Sequence, residues 1–292
     1  MTTSPHIVVR EKLDFGLQGD IPRFWLGGDP FKTRFFDAMS LMFPDGERYF
    51  IRCVRDFRDA VTDPGLQQAI KDFIRQEGQH GLIHRQFNAS LKAQGIDVDR
   101  LEGYTRSFLF GFMRRFLPGK HNLACTAASE HLTAIMAQTF FVPGGAMASS
   151  DPRMRALYTW HAMEEMEHKA VAFDVMQKVA KVGYLRRVYT LCEVTLSFNL
   201  QVLPYTLIML KADGFSRAQR LKMLAAGLWW VYGPHGLFTA HLRPYLRYFR
   251  PGFHPWQVAQ APWYGLWLET FNRTGDPLVA GQAVAAAAWR AK

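Results

Sequence analysis

From Asp29 onward, apolar residues recur at helical spacing almost without a break, and no run alternates for long enough to read as paired strands. Punctuation divides the pattern. Asp29-Pro30 reads as an N-cap followed by a proline at the first helical position, and Pro44-Asp45 reads as a break that ends this helix and opens another to about Val61. Thr62-Asp63-Pro64-Gly65 is a turn, and Pro64 opens a long helix that Gly95 stops near Gln94. Further helices are predicted over 101–117, from His121 to Val142 before Pro143-Gly144-Gly145, and from Pro152 through Lys181. The chain is therefore read as all-α. Residues 1–28, with Gly and Pro breaks and one short β-like run at Ile7–Arg10, form an arm lying on a larger body.

After residue 182 the pattern changes. Val194–Leu210 carries no charge, and Met223–Leu242 carries no Asp, Glu, Lys or Arg. Arg217, Arg220 and Lys222 precede the second stretch, and Arg243, Arg247 and Arg250 follow it. Asn199, Gln201, Pro204 and Gly233-Pro234 interrupt both, which favours a lid buried on the bundle over a lipid-spanning role. A membrane-surface face is the alternative. The chain thus divides into an arm (1–28), a helical bundle (29–182) and apolar C-terminal helices (183–292).

The bundle carries a repeated spacing. Glu77-Gly-Gln-His80 and Glu165-Met-Glu-His168 are both E-x-x-H, and a chain with ten Glu and ten His should show about a third of one such match by chance. At i and i+3 the two side chains share one helix face. Bundles that hold two metal ions take E-x-x-H from two helices and one Glu from each of the others. Helix arithmetic finds those two. Glu77 lies 14 residues after Asp63 and Glu47 lies 15 before Thr62, so both sit roughly 21–22 Å below the turn at 1.5 Å per residue. Glu130 lies 13 residues before Pro143, and Glu165 lies 13 after Pro152. Four carboxylates at one level need cations between them.

His161 completes an i, i+4, i+7 stripe with Glu165 and His168 and is a candidate third histidine ligand; a packed histidine is the alternative. His84, four residues after His80, is assigned to hydrogen bonding ahead of ligation. Glu164 competes with Glu165, and the repeated motif favours Glu165. Glu167 points away, toward solvent or a basic partner. His131 points about 100° from Glu130 and is left out. His121, His235, His241 and His254 have no partner at ligand spacing.

The set Glu47, Glu77-x-x-His80, Glu130, His161-x-x-x-Glu165-x-x-His168 resembles the di-iron N-oxygenases that act on arylamines. Gln76-Glu77-Gly-Gln-His80, His84-Arg-Gln-Phe87-Asn88 and Tyr248-Phe-Arg-Pro-Gly-Phe-His254-Pro255-Trp256 resemble the bacterial family described as predicted metal-dependent hydrolases. The first resemblance implies a ferritin-like four-helix bundle holding two iron ions, with manganese or a mixed pair as variants. It also implies O2, a small amine, aromatic or apolar substrate, and an electron donor of unknown identity. The second implies hydrolysis. A non-catalytic metal-binding protein is a third reading.

Composition narrows the setting. The 49% hydrophobic and 21% charged content is that of a globular chain. Cys53, Cys125 and Cys192 are too far apart and too few for a disulfide framework, which suits a reducing cytoplasm, and Met1–Asp14 shows no signal-peptide pattern. The net charge of +10 favours anionic partners. Nucleic acid ranks last because no reading motif accompanies the charge. Peripheral membrane contact and a homodimer stay open.

Overall fold

The computed structural model describes residues 7–140 and 145–290. Its long helices are α1 (Pro30–Arg55), α2 (Pro64–Ala93), α3 (Val98–Arg106), α4 (Gly119–Phe140), α5 (Pro152–His168), α6 (Tyr184–Ala212), α7 (Arg217–Tyr232), α8 (Tyr264–Thr274) and α9 (Pro277–Arg290). Among the described residues there is no strand, only a bridge between Leu26 and Ser150. The all-α reading holds. The predicted stop at Pro143-Gly144, like Met1–His6, lies outside the described residues.

Three starts follow one rule. Asp29, Asp63 and Asp151 each accept a hydrogen bond from a backbone N–H of the first turn, at Lys32, Leu66 and Arg153, with proline at the first helical position. Ser216 and Gln219 form a reciprocal capping box at the start of α7.

Pro44 does not break α1, contrary to expectation. Proline lacks the N–H that would bond the carbonyl four residues back, here that of Ser40. Asn88 Nδ2, on α2, donates to that carbonyl at 3.1 Å and replaces the missing donor. The other differences lie at helix ends. The predicted 101–117 helix is α3 followed by a π-helical stretch, Ser107–Met113, and a last turn at Arg114–Phe116. The helix predicted through Lys181 ends at His168 and resumes as Val171–Asp174 and a π-turn at Val175–Val179.

α1 packs on α2 and α6, and α4 packs on α5 and α6. Gly81 permits close approach of the first pair, since a Cβ there would lie 3.0 Å from Glu47 Oε2. The arm is pinned by Phe15, Leu17, Ile21, Trp25 and Leu26, all buried in the main core. α8 packs on α9, and α9 lies along α5 with Gly281 against Ala156.

The lid expected over 194–210 and 223–242 is only half formed. Val202, Tyr205, Met209 and Val231 are buried, but Leu196, Leu200 and Trp229 face outward, the last 69% exposed. Trp230 turns the other way, edge-on to Phe35 at 5.9 Å. α6 is long and apolar enough to cross a membrane, and 22% of its most apolar window is buried.

Candidate metal centre

The helices α1, α2, α4 and α5 bring all seven expected residues to one buried level: Glu47 from α1, Glu77 and His80 from α2, Glu130 from α4, and His161, Glu165 and His168 from α5. Their donor atoms cluster in overlapping triplets, each within 4.8 Å: Glu77, Glu130 and His168; His80, His161 and Glu165; and Glu47, Glu77 and His80. Glu165 sits between the first two. Its Oε2 lies 3.5 Å from His168 Nε2, and its Oε1 lies 3.0 Å from His161 Nε2 and 3.7 Å from His80 Nδ1. Glu77 Oε1 lies 3.1 Å from His168 Nε2 and 3.8 Å from His80 Nδ1, so it too reaches both lobes.

The imidazoles are held from behind. His168 Nδ1 meets Gln76 Oε1 at 2.9 Å. The Gln76 amide has one orientation available, because its Nε2 donates to Val8 O and to Glu167 Oε2. Its Oε1 must therefore accept, His168 Nδ1 carries the hydrogen, and Nε2 faces the carboxylates. His80 is held the other way round. Its Nε2 donates to Glu164 Oε2 at 3.1 Å, Arg10 holds the other oxygen of Glu164 at 2.9 Å, and His80 Nδ1 faces inward.

His161 is fixed by a longer chain. Ser40 Oγ donates to Asn88 Oδ1 at 2.7 Å, so toward His84 it can only accept, from Nδ1 at 2.8 Å. His84 Nε2 then accepts from His161 Nδ1 at 2.8 Å, and His161 Nε2 is free to face Glu165. His84 thus acts through hydrogen bonds, as the sequence reading has it, although its donor atom also lies within 4.8 Å of those of Glu47 and His161.

Both oxygens of Glu47, Glu77 and Glu130, together with His80 Nδ1 and His168 Nε2, are buried without a hydrogen-bond partner. These orphaned atoms are ones a metal ion would bind, and buried polar atoms are seldom left unmatched. Charge tells the same story. Burial, and then neighbouring glutamates, push the Glu47 and Glu77 carboxyls well above the usual range, and Glu130 up to about 7. Burial also raises Glu165, but His168 and His161 pull it further the other way, well below the usual range. Burial and His161 hold His80 well below its ordinary value. Burial works against the His168 proton as well, yet Glu165 and Glu130 lift its pKa well above normal. Four carboxylates and three tautomer-fixed imidazoles suit two divalent ions in number and in kind.

Some residues around the centre give no helical signal. Arg10, in the arm, bonds Glu164 at 2.9 Å and Glu167 at 2.8 Å. Glu167 is therefore paired with a base but is buried, not solvated, and also accepts from Val8 N and Tyr264 Oη. Thr133 Oγ1 donates to Glu165 Oε2. His131 packs on Tyr248 and Phe253, outside the donor triplets. Two histidines read as unpartnered do have partners: His121 Nε2 lies 3.0 Å from Glu193, beside Cys125, and His254 Nε2 lies 3.1 Å from Asp174.

No curated protein and no solved structure matches the chain, so the resemblance to arylamine N-oxygenases has no counterpart among these comparisons. A family model does match, over residues 9–259, a span that includes the arm's Arg10, every residue of the buried cluster, α6 and α7, and stops before α8. The chain belongs to the family described as predicted metal-dependent hydrolases.

Proposed function

We propose that the chain is an enzyme with a dinuclear metal centre, held by Glu47, Glu77, His80, Glu130, His161, Glu165 and His168. The observation that carries this reading is the set of unmatched carboxylate oxygens and inward-facing imidazole nitrogens at one buried level. Within it, the donor set favours oxidation by O2 with two iron ions in a ferritin-like bundle. Four carboxylates stabilise the ferric state, and imidazoles suit the ferrous one. Hydrolysis is the second reading, and it alone has the support of the family description.

When bound, two irons would supply O2 binding and paired electrons, whereas two redox-inert ions would supply acidified water. The chain's own part is common to both readings. Gln76 and Glu164 hold His168 and His80 in one tautomer, and His84 holds the His161 proton at Nδ1. Phe43 lies 5.0 Å from the His161 ring and Trp160 lies 4.9 Å from His80, and these aromatic walls limit water.

Anaerobic reconstitution with ferrous iron, followed by metal analysis and optical spectra on O2 exposure, tests the proposal. About two irons per chain and a spectral change with O2 are expected. Two bound metals with no O2 response, together with metal-dependent ester or amide cleavage, would transfer the assignment to hydrolysis. Failure to bind any transition metal would overturn both readings.

A further inference from the structure

Cavities adjoin the metal centre on the side where α1, α4 and α6 meet. The innermost, of about 20 Å³, is walled by His161, Glu165 and Thr133 together with Phe43 and Met136. Phe43, Thr133 and Met136 also wall a second cavity of about 130 Å³. A third, of about 260 Å³, shares Leu132, Met136 and Phe198 with the second. Its outer end is marked by Tyr232 and Leu242, which are 39% and 52% exposed. Together they fall in the lower part of the range of small-molecule sites, roughly 300–1,000 Å³.

Their chemistry is uniform. Among the described residues, no Asp, Glu, Lys or Arg lines either of the two larger cavities. The one imidazole, His241, is held below its ordinary pKa by burial and stays neutral. A charged ligand group would lose its hydration there with no counter-ion in return. Among the described residues that line these cavities, one fully buried polar atom lacks a partner. Gln201 Nε2 donates to Ser197 O, while Gln201 Oε1 is buried without a partner in the wall of the second cavity. An N–H or O–H on the ligand would satisfy it.

We infer that these cavities form the substrate site of the metal centre, reached from the surface beside Tyr232 and Leu242, and that the substrate is a neutral, mostly apolar molecule carrying one hydrogen-bond donor, which it gives to Gln201. This inference takes its word "substrate" from the dinuclear reading, but the binding site exists with or without the metals.

Calorimetric titration of metal-loaded and metal-free protein with straight-chain primary alcohols, from 1-hexanol to 1-dodecanol, tests it. Affinity should rise about fourfold per methylene while the chain is being buried, then level off once the cavities are full. Alkanoates and alkylammonium ions of equal length should bind at least tenfold more weakly, and octyl methyl ether, which lacks the donor, more weakly than an alcohol of its length. Met136→Trp, at the junction of the cavities, should weaken long-chain alcohols at least tenfold, with Leu132→Trp as a second blocking variant should the first not fold. Gln201→Leu should erase the preference for alcohol over ether. Equal binding of charged chains, no dependence on length, or blocking variants that fold and bind normally would each overturn the inference. Alcohol binding by a protein that takes up no metal would overturn the dinuclear reading and leave the site standing.

Discussion

Replacing Arg10 by Leu should cost this protein far more than an ordinary salt bridge is worth. Arg10 is 5% exposed, and its guanidinium bonds Glu164 Oε1 at 2.9 Å, Glu167 Oε1 at 2.8 Å, Glu167 Oε2 at 3.2 Å and Val8 O at 3.0 Å. It also lies over the Trp267 ring at 5.0 Å, a contact that Leu would replace in part. Exposed ion pairs contribute about 0–1 kcal/mol, but removing one partner of a buried pair leaves an uncompensated charge and costs about 3–5 kcal/mol. In a chain of 292 residues this corresponds to a fall in melting temperature of about 5–8 °C. Urea unfolding of metal-free protein at neutral pH measures it, and Arg10→Leu/Glu164→Gln/Glu167→Gln supplies the control. Making both acceptors neutral removes the stranded charges, so the triple variant should recover at least half of the loss. A single-variant cost below about 1 kcal/mol, or a triple variant no more stable than the single one, would show that Arg10 is not the counter-charge for these carboxylates.

Three further tests address other parts of the molecule. Gln76→Leu strands His168 Nδ1–H and frees the ring to turn, so metal affinity should fall about 10- to 100-fold in a chelator competition, while wild-type affinity would make the Gln76 contact incidental. Burial, opposed by Arg34 and Trp25, pushes the Asp37 carboxyl up to about 6. The folded protein then holds a proton that the unfolded chain has lost, so between about pH 4 and 6 Asp37 makes stability fall with rising pH, by about 2 kcal/mol at most; Asp37→Asn should flatten that limb of the melting profile, and an unaltered limb would rule the residue out. Leu185, Leu196, Leu200 and Trp229 are exposed on α6 and α7, on a chain of net charge +10, so co-sedimentation with anionic vesicles at low salt is expected, weakened by Trp229→Ser; equal partition onto neutral vesicles would exclude a role for the charge.

The centre was legible because helices make geometry periodic. Glu77 with His80, and Glu165 with His168, are one turn apart on their own helices, and distance from a turn converts to height along an antiparallel neighbour. That arithmetic brought Glu47 and Glu130 to the correct level without any knowledge of packing. Pro44 was misread because the donor that rescues the Ser40 carbonyl is Asn88, on another helix. The roles of Arg10 and Glu167 were hidden for a related reason: their partners come from distant segments, and an extended arm has no period by which to place a guanidinium. The half-open state of α6 also escaped, since an uncharged stretch looks the same whether its outer face is covered or bare.

Glu167 gathers Val8 and Arg10 from the arm, Gln76 from α2 and Tyr264 from α8. These contacts span from 91 to 159 residues of sequence, so the shell behind His80 and His168 is among the most non-local parts of the molecule. Closing such long loops is slow and comes late in folding. On the ribosome the arm emerges before α5, so Arg10 has no counter-charge until α5 has been made, and Tyr264 arrives about a hundred residues after Glu165. Helices α1, α2, α4 and α5 can therefore assemble while the Tyr264 contact to Glu167 is still missing. Completion of this shell then waits for α8, and damage to the arm or to α8 reaches the candidate centre without touching any of its seven residues.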